Sequence, residues 1–249
     1  MAHLPDVIIL CGGAGLRLRS VTGNSPKAMA SIGGRPFLEL LLRQLRRYGF
    51  KRVVLAVGYG QDVIRAHFGR RALGLTLTYS LETSPLGTGG ALRNASDLIK
   101  SDSALVMNGD SYTDANLATF AANHREAKAD ISLVVISPDG RADCGSVWVS
   151  QDGNVEQFAE KQRLSGTPYF NAGVYMMSRS LILDILAGVP LSLEQDLFPR
   201  WLKEGRHFQA FVCSGMCIDI GTPDRYQSAQ NVLGNIEMET GAPNCEGEL

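Results

Sequence analysis

Apolar residues fall along the chain in two rhythms. Short uninterrupted runs at residues 7–10, 53–57 and 104–107 predict strands buried on both faces, and residues 131–136 predict a further strand. Between the first two, Leu38, Leu41, Leu42, Leu45 and Tyr48 recur at helical spacing. Pro36 suits the first turn of that helix and Gly49 its end. Residues 61–68 predict a second helix, and residues 75–81 alternate as a strand does. Such a β-α-β-α-β succession implies a parallel sheet covered by helices.

Farther along, residues 116–128 predict a helix with Asp114 near its start. The character then changes. Residues 146–149 and 155–158 flank Gln151-Asp152-Gly153-Asn154, where Asp-Gly signals a hairpin. Residues 169–175 predict a strand interrupted by the small pair Ala172-Gly173, and glycine inside a strand often marks close approach of a ligand. Ser192 to Gln195 has capping-box spacing for a helix running to Glu204, kinked at Pro199. There the carboxylates of Glu194 and Asp196 already suit the helix dipole. Residues 208–212 and 216–220 predict two more strands. After the second, Thr222 can cap a helix that begins with Pro223.

The first strand empties into Cys11-Gly12-Gly13-Ala14-Gly15, with Arg17 close behind and Lys27 held after Pro26. Glycines expose several N–H groups together, and two cations follow, which together suit a triphosphate. Neither standard nucleotide motif fits. Leu18 stands where a dinucleotide fingerprint needs its third glycine, and no Gly-Lys-Ser/Thr follows. A second glycine-rich mouth, Gly87-Thr88-Gly89-Gly90, opens a helix directly after the strand at residues 75–81. The run at residues 104–107 ends in Asn108-Gly109-Asp110, so Asp110 lies where an open sheet displays its ligand. Mg²⁺ is held by one or two carboxylates plus phosphate oxygens, so an acid beside a phosphate cradle is chemically apt.

Composition narrows the classes. The chain has 249 residues, 45% of them hydrophobic, enough for a substantial core. A formal charge of −1 leaves no footprint for nucleic acid or an anionic membrane. The basic cluster of Arg43, Arg46, Arg47, Lys51 and Arg52 reads as a solvated helix face. No apolar run approaches the roughly 20 residues of a membrane span, and a cytoplasmic location is expected. Five cysteines without a C-x-x-C pair fit free thiols; no histidine closely follows Cys213 and Cys217 to complete a zinc site.

Gly-Gly-x-Gly-x-Arg-Leu followed by Pro-Lys resembles the signature of the sugar-1-phosphate nucleotidyltransferases, although Leu16 stands where many relatives carry Thr. The resemblance runs from Ile8 to about Tyr226 and, within the family, toward the bacterial D-glycero-D-manno-heptose 1-phosphate guanylyltransferases. It implies an α/β fold, a Rossmann-like three-layer α/β/α arrangement. The sheet is expected to be mixed and mainly parallel, with a small antiparallel insert on the substrate side. One domain is expected over residues 1–240, with residues 241–249 as a frayed tail. The implied reaction is Mg²⁺-dependent nucleotidyl transfer from an NTP, GTP in the first instance, to a sugar 1-phosphate, heptose 1-phosphate in the first instance. Another base, a hexose, amino sugar or cyclitol phosphate, or a non-catalytic sugar-nucleotide sensor are the alternatives.

By the same resemblance, Arg17, Lys27 and Lys161 supply catalytic charge. Leu10, Gly12, Gly13, Gly15, Gly87, Thr88, Gly90 and Asn108 hold the nucleotide. Gly145, Glu160, Asn171 and Gly173 face the sugar. Asp110 and Asp219, the latter in an Asp-x-Gly-Thr-Pro setting, bind the metal. The expected partners are the NTP and the sugar 1-phosphate, without nucleic acid or membrane, and with homo-oligomerisation left open.

Overall fold

Val7, Ile8 and Ile9 are fully buried, and they alternate between two apolar clusters on opposite faces of one sheet. That is why this run carries no polar position: helices cover both sides. The structure, a computed structural model, describes residues 4–137, 145–160 and 169–234. Lys161, Cys144, Cys245 and the 241–249 tail lie outside the described residues.

Asp6–Leu10 lies between Arg52–Val57 and Ser103–Asn108, all parallel, and Leu75–Leu81 continues the parallel set beyond Arg52–Val57. Beyond Ser103–Asn108 the sheet turns antiparallel: Tyr169–Ser178 pairs with it, then with Ile131–Ile136, which in turn pairs in parallel with Phe208–Cys213. Phe37–Arg47, Gln61–Phe68, Leu117–Ala127 and Pro223–Leu233 bury their apolar residues in one cluster. Gly87–Ala95, Arg179–Leu183 and Phe198–Lys203 do so in the other. The expected three-layer, mainly parallel arrangement is present.

Four local expectations need adjustment. Pro36 belongs to a two-residue strand and precedes the helix, which starts at Phe37. The stretch after Ser192 is two pieces: a π-helical turn, Leu193–Leu197, then an α-helix, Phe198–Lys203, with Pro199 in its first turn. Leu197 N–H reaches Ser192 O at 3.1 Å, an i→i+5 closure, so the break precedes the proline. The strand around Asp219 spans Cys217–Asp219 and joins Ser111–Thr113 in a separate ribbon. Finally, the hairpin of Ser146–Val149 and Val155–Ala159 is continuous with the main sheet, adding to its edge through Tyr169–Ser178.

The chain leaves Asp6–Leu10 toward Arg52–Val57 on one side and later enters Ser103–Asn108 on the other. This is a topological switch point, where open sheets bind ligands beyond their strand ends. Gly109 N–H donates to Leu10 O at 2.9 Å across it. The strand order alone therefore brings the first glycine loop beside Asp110.

His124, in the helix Leu117–Ala127, is buried and contacts Ser132 Oγ through Nδ1 at 2.8 Å. Burial pushes its pKa down to about 4, so it folds neutral. The unfolded chain binds a proton here below about pH 6.5 and the folded chain does not until about pH 4. Stability from this group is complete above about pH 6.5 and falls by up to about 3 kcal/mol as pH drops to 4. His124→Gln is expected to flatten urea-unfolding free energy across that window; an unchanged slope would exclude His124 as its source.

Candidate active site

Two cavities open at the switch point and share one wall. The larger, about 710 Å³, lies between the first glycine loop and the second, and includes Leu10, Gly12, Gly13, Gly87 and Thr88. The smaller, about 520 Å³, is lined on the sheet's antiparallel side by Gly145, Glu160, Asn171 and Gly173. Lys27, Asn108 and Asp110 line both. A ligand in one would meet a ligand in the other at these three side chains.

Each shared residue is placed by backbone geometry. Gly15 sits at φ +57°, starting the tight turn Leu16–Leu18, and a Cβ there would come within 2.9 Å of Lys27 Cβ. The glycine thus lets the Lys27 stem pass beneath the loop. Gly173, at φ +74° within its strand, does the same for Asn108, whose Nδ2 would lie 2.7 Å from an added Cβ. Asn108 Oδ1 is buried and has no hydrogen-bond partner among the described residues. An unpartnered acceptor at a cavity junction is costly unless a ligand donates to it.

Charge converges on the same junction. Lys27 Nζ pairs with Asp110 Oδ2. Asp219 is opposite Ser111 in the ribbon, next to Asp110 in sequence, and Ile220 N–H donates to Asp110 O at 3.0 Å. Arg225 Nη1 donates to both Asp219 oxygens, at 2.8 and 2.9 Å, and Gly221 N–H donates to Oδ1 at 2.8 Å. Thr222 caps the helix Pro223–Leu233, which aims Arg225 back at Asp219. A Cβ on Gly221 would lie 3.7 Å from both Lys27 Nζ and Arg225 Nη1. Two carboxylates and two cations from distant parts of the chain therefore share one small volume.

Most sequence-derived site residues assemble here, with exceptions. Arg17 lines the smaller cavity and not the larger. Gly15 lines neither and serves the turn. Gly90 is buried in its helix, where a Cβ would meet Val189 O at 2.6 Å, so it permits packing and presents nothing to either cavity. Lys161 lies outside the described residues.

Three residues carry more than their sequence setting signalled. Glu82, just past the strand Leu75–Leu81, walls the larger cavity. It accepts Leu86 N–H at 3.3 Å and pairs with no cation among the described residues. Burial pushes its carboxyl pKa up, partly offset by that N–H. A Cβ on Gly12 would fall 2.4 Å from Glu82 Oε1, so this loop glycine makes room for the acid. Arg225 reaches back to Asp219 on the preceding strand, a pairing its place in the helix does not signal. Glu194 is buried on the wall of the smaller cavity, not merely placed for a helix dipole. Cys11, also on the larger cavity wall, donates its thiol to Ile9 O at 3.3 Å, and burial raises its pKa far above the thiol range. It stays protonated and is no nucleophile.

The chain matches the family model described as nucleotidyl transferase over residues 6–235, most of its length. It belongs to the nucleotidyl transferase family. Among curated nucleotidyl transferases it is similar to the D-glycero-alpha-D-manno-heptose 1-phosphate guanylyltransferase of Aneurinibacillus thermoaerophilus. Identity is 34% over 228 residues, covering 92% of this chain and 98% of that one. It is also similar to the mannose-1-phosphate guanylyltransferase of Mycobacterium tuberculosis, at 35% identity over 96% of this chain and 66% of that protein. The chain thus spans about two thirds of the Mycobacterium protein's length. Among solved structures, HddC from Yersinia pseudotuberculosis complexed with GMP-PN superposes with a TM-score of 0.81. Its identity is 33%, covering 92% of this chain and all of that one. No helix among the described residues is long and apolar enough to cross a membrane.

Proposed function

We propose that this nucleotidyl transferase moves a guanylyl group from GTP to a sugar 1-phosphate of manno configuration, with heptose 1-phosphate as the first choice. The observation that carries the reading is the pair of cavities meeting at Lys27, Asn108 and Asp110. Donor and acceptor in separate pockets that touch at one charged wall is what a direct transfer requires. Guanine is supported by Glu82. Its carboxylate can accept from both N1–H and the exocyclic amine of guanine, whereas uracil and thymine flank one N–H with two repelling carbonyls. The guanine nucleotide named in the HddC complex agrees. Mannose 1-phosphate is the second reading, favoured by the Mycobacterium relative.

In this reading, an oxygen of the acceptor phosphate attacks the α-phosphorus in line, forming one O–P bond as the bond to the β-phosphate oxygen breaks. Pyrophosphate leaves, and no covalent enzyme intermediate is needed. Glycine-loop amides and Lys27 hold the triphosphate, and Arg17, on the wall of the acceptor cavity, faces the second anion. Glu160 accepts sugar hydroxyl hydrogens, and Lys161 is assigned to the acceptor phosphate from the sequence resemblance. Repulsion between the two anions is the barrier to oppose: about 4 kcal/mol per pair of unit charges at 4 Å and an effective dielectric near 20.

Asp110 and Asp219 fit a Mg²⁺ ion. Both give hard oxygen donors to one cavity, and this ion takes one or two carboxylates beside substrate phosphates, so no third protein carboxylate is required. When bound it would supply positive charge to the phosphate oxygens.

The test is pyrophosphate release with Mg²⁺, each of the four common NTPs, and heptose, mannose or glucose 1-phosphate. GTP with a manno-configured acceptor should be used best. Release with none of the acceptors, or no preference for GTP, would overturn the reading.

A further inference from the structure

Glu194 is buried without a cation partner among the described residues, and its three side-chain partners are hydroxyls. Oε2 accepts from Thr88 Oγ1 at 2.8 Å and from Ser192 Oγ at 3.1 Å, and Oε1 accepts from Tyr175 OH at 3.1 Å. Thr88 faces the donor cavity, and Glu194 itself lines the acceptor cavity. An ionised carboxylate only accepts, so every hydroxyl touching it is obliged to donate.

That obligation propagates. Leu193 N–H donates to Thr88 Oγ1 at 2.7 Å and Gln195 N–H to Ser192 Oγ at 3.1 Å, which leaves each hydroxyl hydrogen for the carboxylate. Tyr175 is fully buried, its ring edge-on to Phe198 with centroids 5.1 Å apart, so its hydroxyl has little freedom to turn. Having given its hydrogen to Glu194, Tyr175 OH can only accept from the other side, and Asn171 Nδ2 donates to it at 2.8 Å. At the far end, Gly173 N–H donates to Asn171 Oδ1 at 3.0 Å. A backbone N–H cannot be reversed, so both ends of the Asn171 amide agree on its orientation.

We propose that Glu194 is a positioning residue: through Tyr175 it gives the Asn171 amide its second tether, beside the Gly173 N–H, so that the remaining Nδ2 hydrogen is offered to an oxygen of the sugar phosphate. This inference rests on the transferase reading given above. A glutamine at 194 would bring an N–H₂ donor into the set. If it faces Tyr175, that hydroxyl must accept from it and donate to Asn171, whose Nδ2 is then mismatched. The Gly173 N–H still holds Oδ1, so the amide keeps its polarity and loses its Nδ2 tether.

The experiment combines Glu194→Gln and Tyr175→Phe with steady-state kinetics and a crystal structure of each variant. The KM for the sugar 1-phosphate is expected to rise about tenfold in each single variant, with KM for GTP unchanged within about twofold. The double variant should be no worse than Glu194→Gln alone, because both changes act through Asn171. In both structures the Asn171 side chain should be displaced from its wild-type place, with Nδ2 no longer held at residue 175. An Asn171 that keeps its place with an unchanged sugar-phosphate KM, additive effects in the double variant, or equal rises in both KM values would overturn the relay. If wild-type protein releases no pyrophosphate with any acceptor, the transferase reading fails, and the relay is still judged by where Asn171 lies in the Glu194→Gln and Tyr175→Phe structures. The milder Tyr175→Phe change serves if Glu194→Gln does not fold.

Discussion

Asp110→Asn is expected to lower guanylyl transfer about 10²–10³-fold, with unfolding temperature and circular dichroism close to wild type. The carboxylate is partly exposed, with side-chain accessibility of 39%, and its hydrogen-bond partners among the described residues are Lys27 and Ser111 Oγ. Its pairing with Lys27 would lose little stability at such exposure. The catalytic loss has two sources. Asn cannot neutralise a divalent ion, and Lys27 is left to an unbalanced position against the triphosphate. Pyrophosphate release at saturating GTP and acceptor measures the first. A KM for GTP that shifts less than kcat would show that the charge acts on the reaction and not on binding alone. Turnover within a few-fold of wild type would remove Asp110 from the metal assignment.

Glu82→Gln is expected to cut kcat/KM for GTP about 10²-fold and to narrow the gap between GTP and UTP. The amide keeps the size of the acid, so Gly12 still accommodates it. What changes is that one of two acceptors becomes a donor facing a guanine N–H. Half-burial makes that mismatch expensive, since water cannot easily intervene. A GTP preference identical to wild type would assign base selection elsewhere. The direction of the Glu82 pKa adds a second check: burial holds the carboxyl above its ordinary range, so the GTP advantage should fade as acid protonates it.

The sheet could be read from residue order because strong local signals and the topology agree, whereas most of the candidate site came from the family resemblance of the motifs at the strand ends. Three runs apolar on both faces mark strands that helices cover, and each is followed within two residues by glycine, which places the loops beyond the strand tips. Asp219 was legible because Thr222 and Pro223 start a helix just behind it. Glu82 was not, since one acid after an alternating strand has no periodic partner, and its meaning comes from the approach to Gly12 across the fold. Glu194 sat in a setting that already explained it, a first helical turn, and only its contacts with Thr88 and Tyr175 reveal the other role. The single kinked helix expected after Ser192 failed for a physical reason. The Asp196 carboxylate accepts Ser192 N–H at 2.7 Å while Ser192 caps Gln195, which widens that turn before Pro199 is reached. Gly90 stands in a glycine-rich mouth that suggests a ligand, whereas the neighbouring carbonyl of Val189 is what demands it.

The hairpin of Ser146–Val149 and Val155–Ala159 is attached at the rim of the main sheet, while the strands bearing Leu10 and Asn108 run through its middle. Substituting that outer ribbon in one member for its counterpart from another would leave the grip on the nucleotide untouched. Gly145 and Glu160, which flank this ribbon, line the smaller cavity, so a change at the border reaches that cavity and leaves in place the strands that end at the larger one.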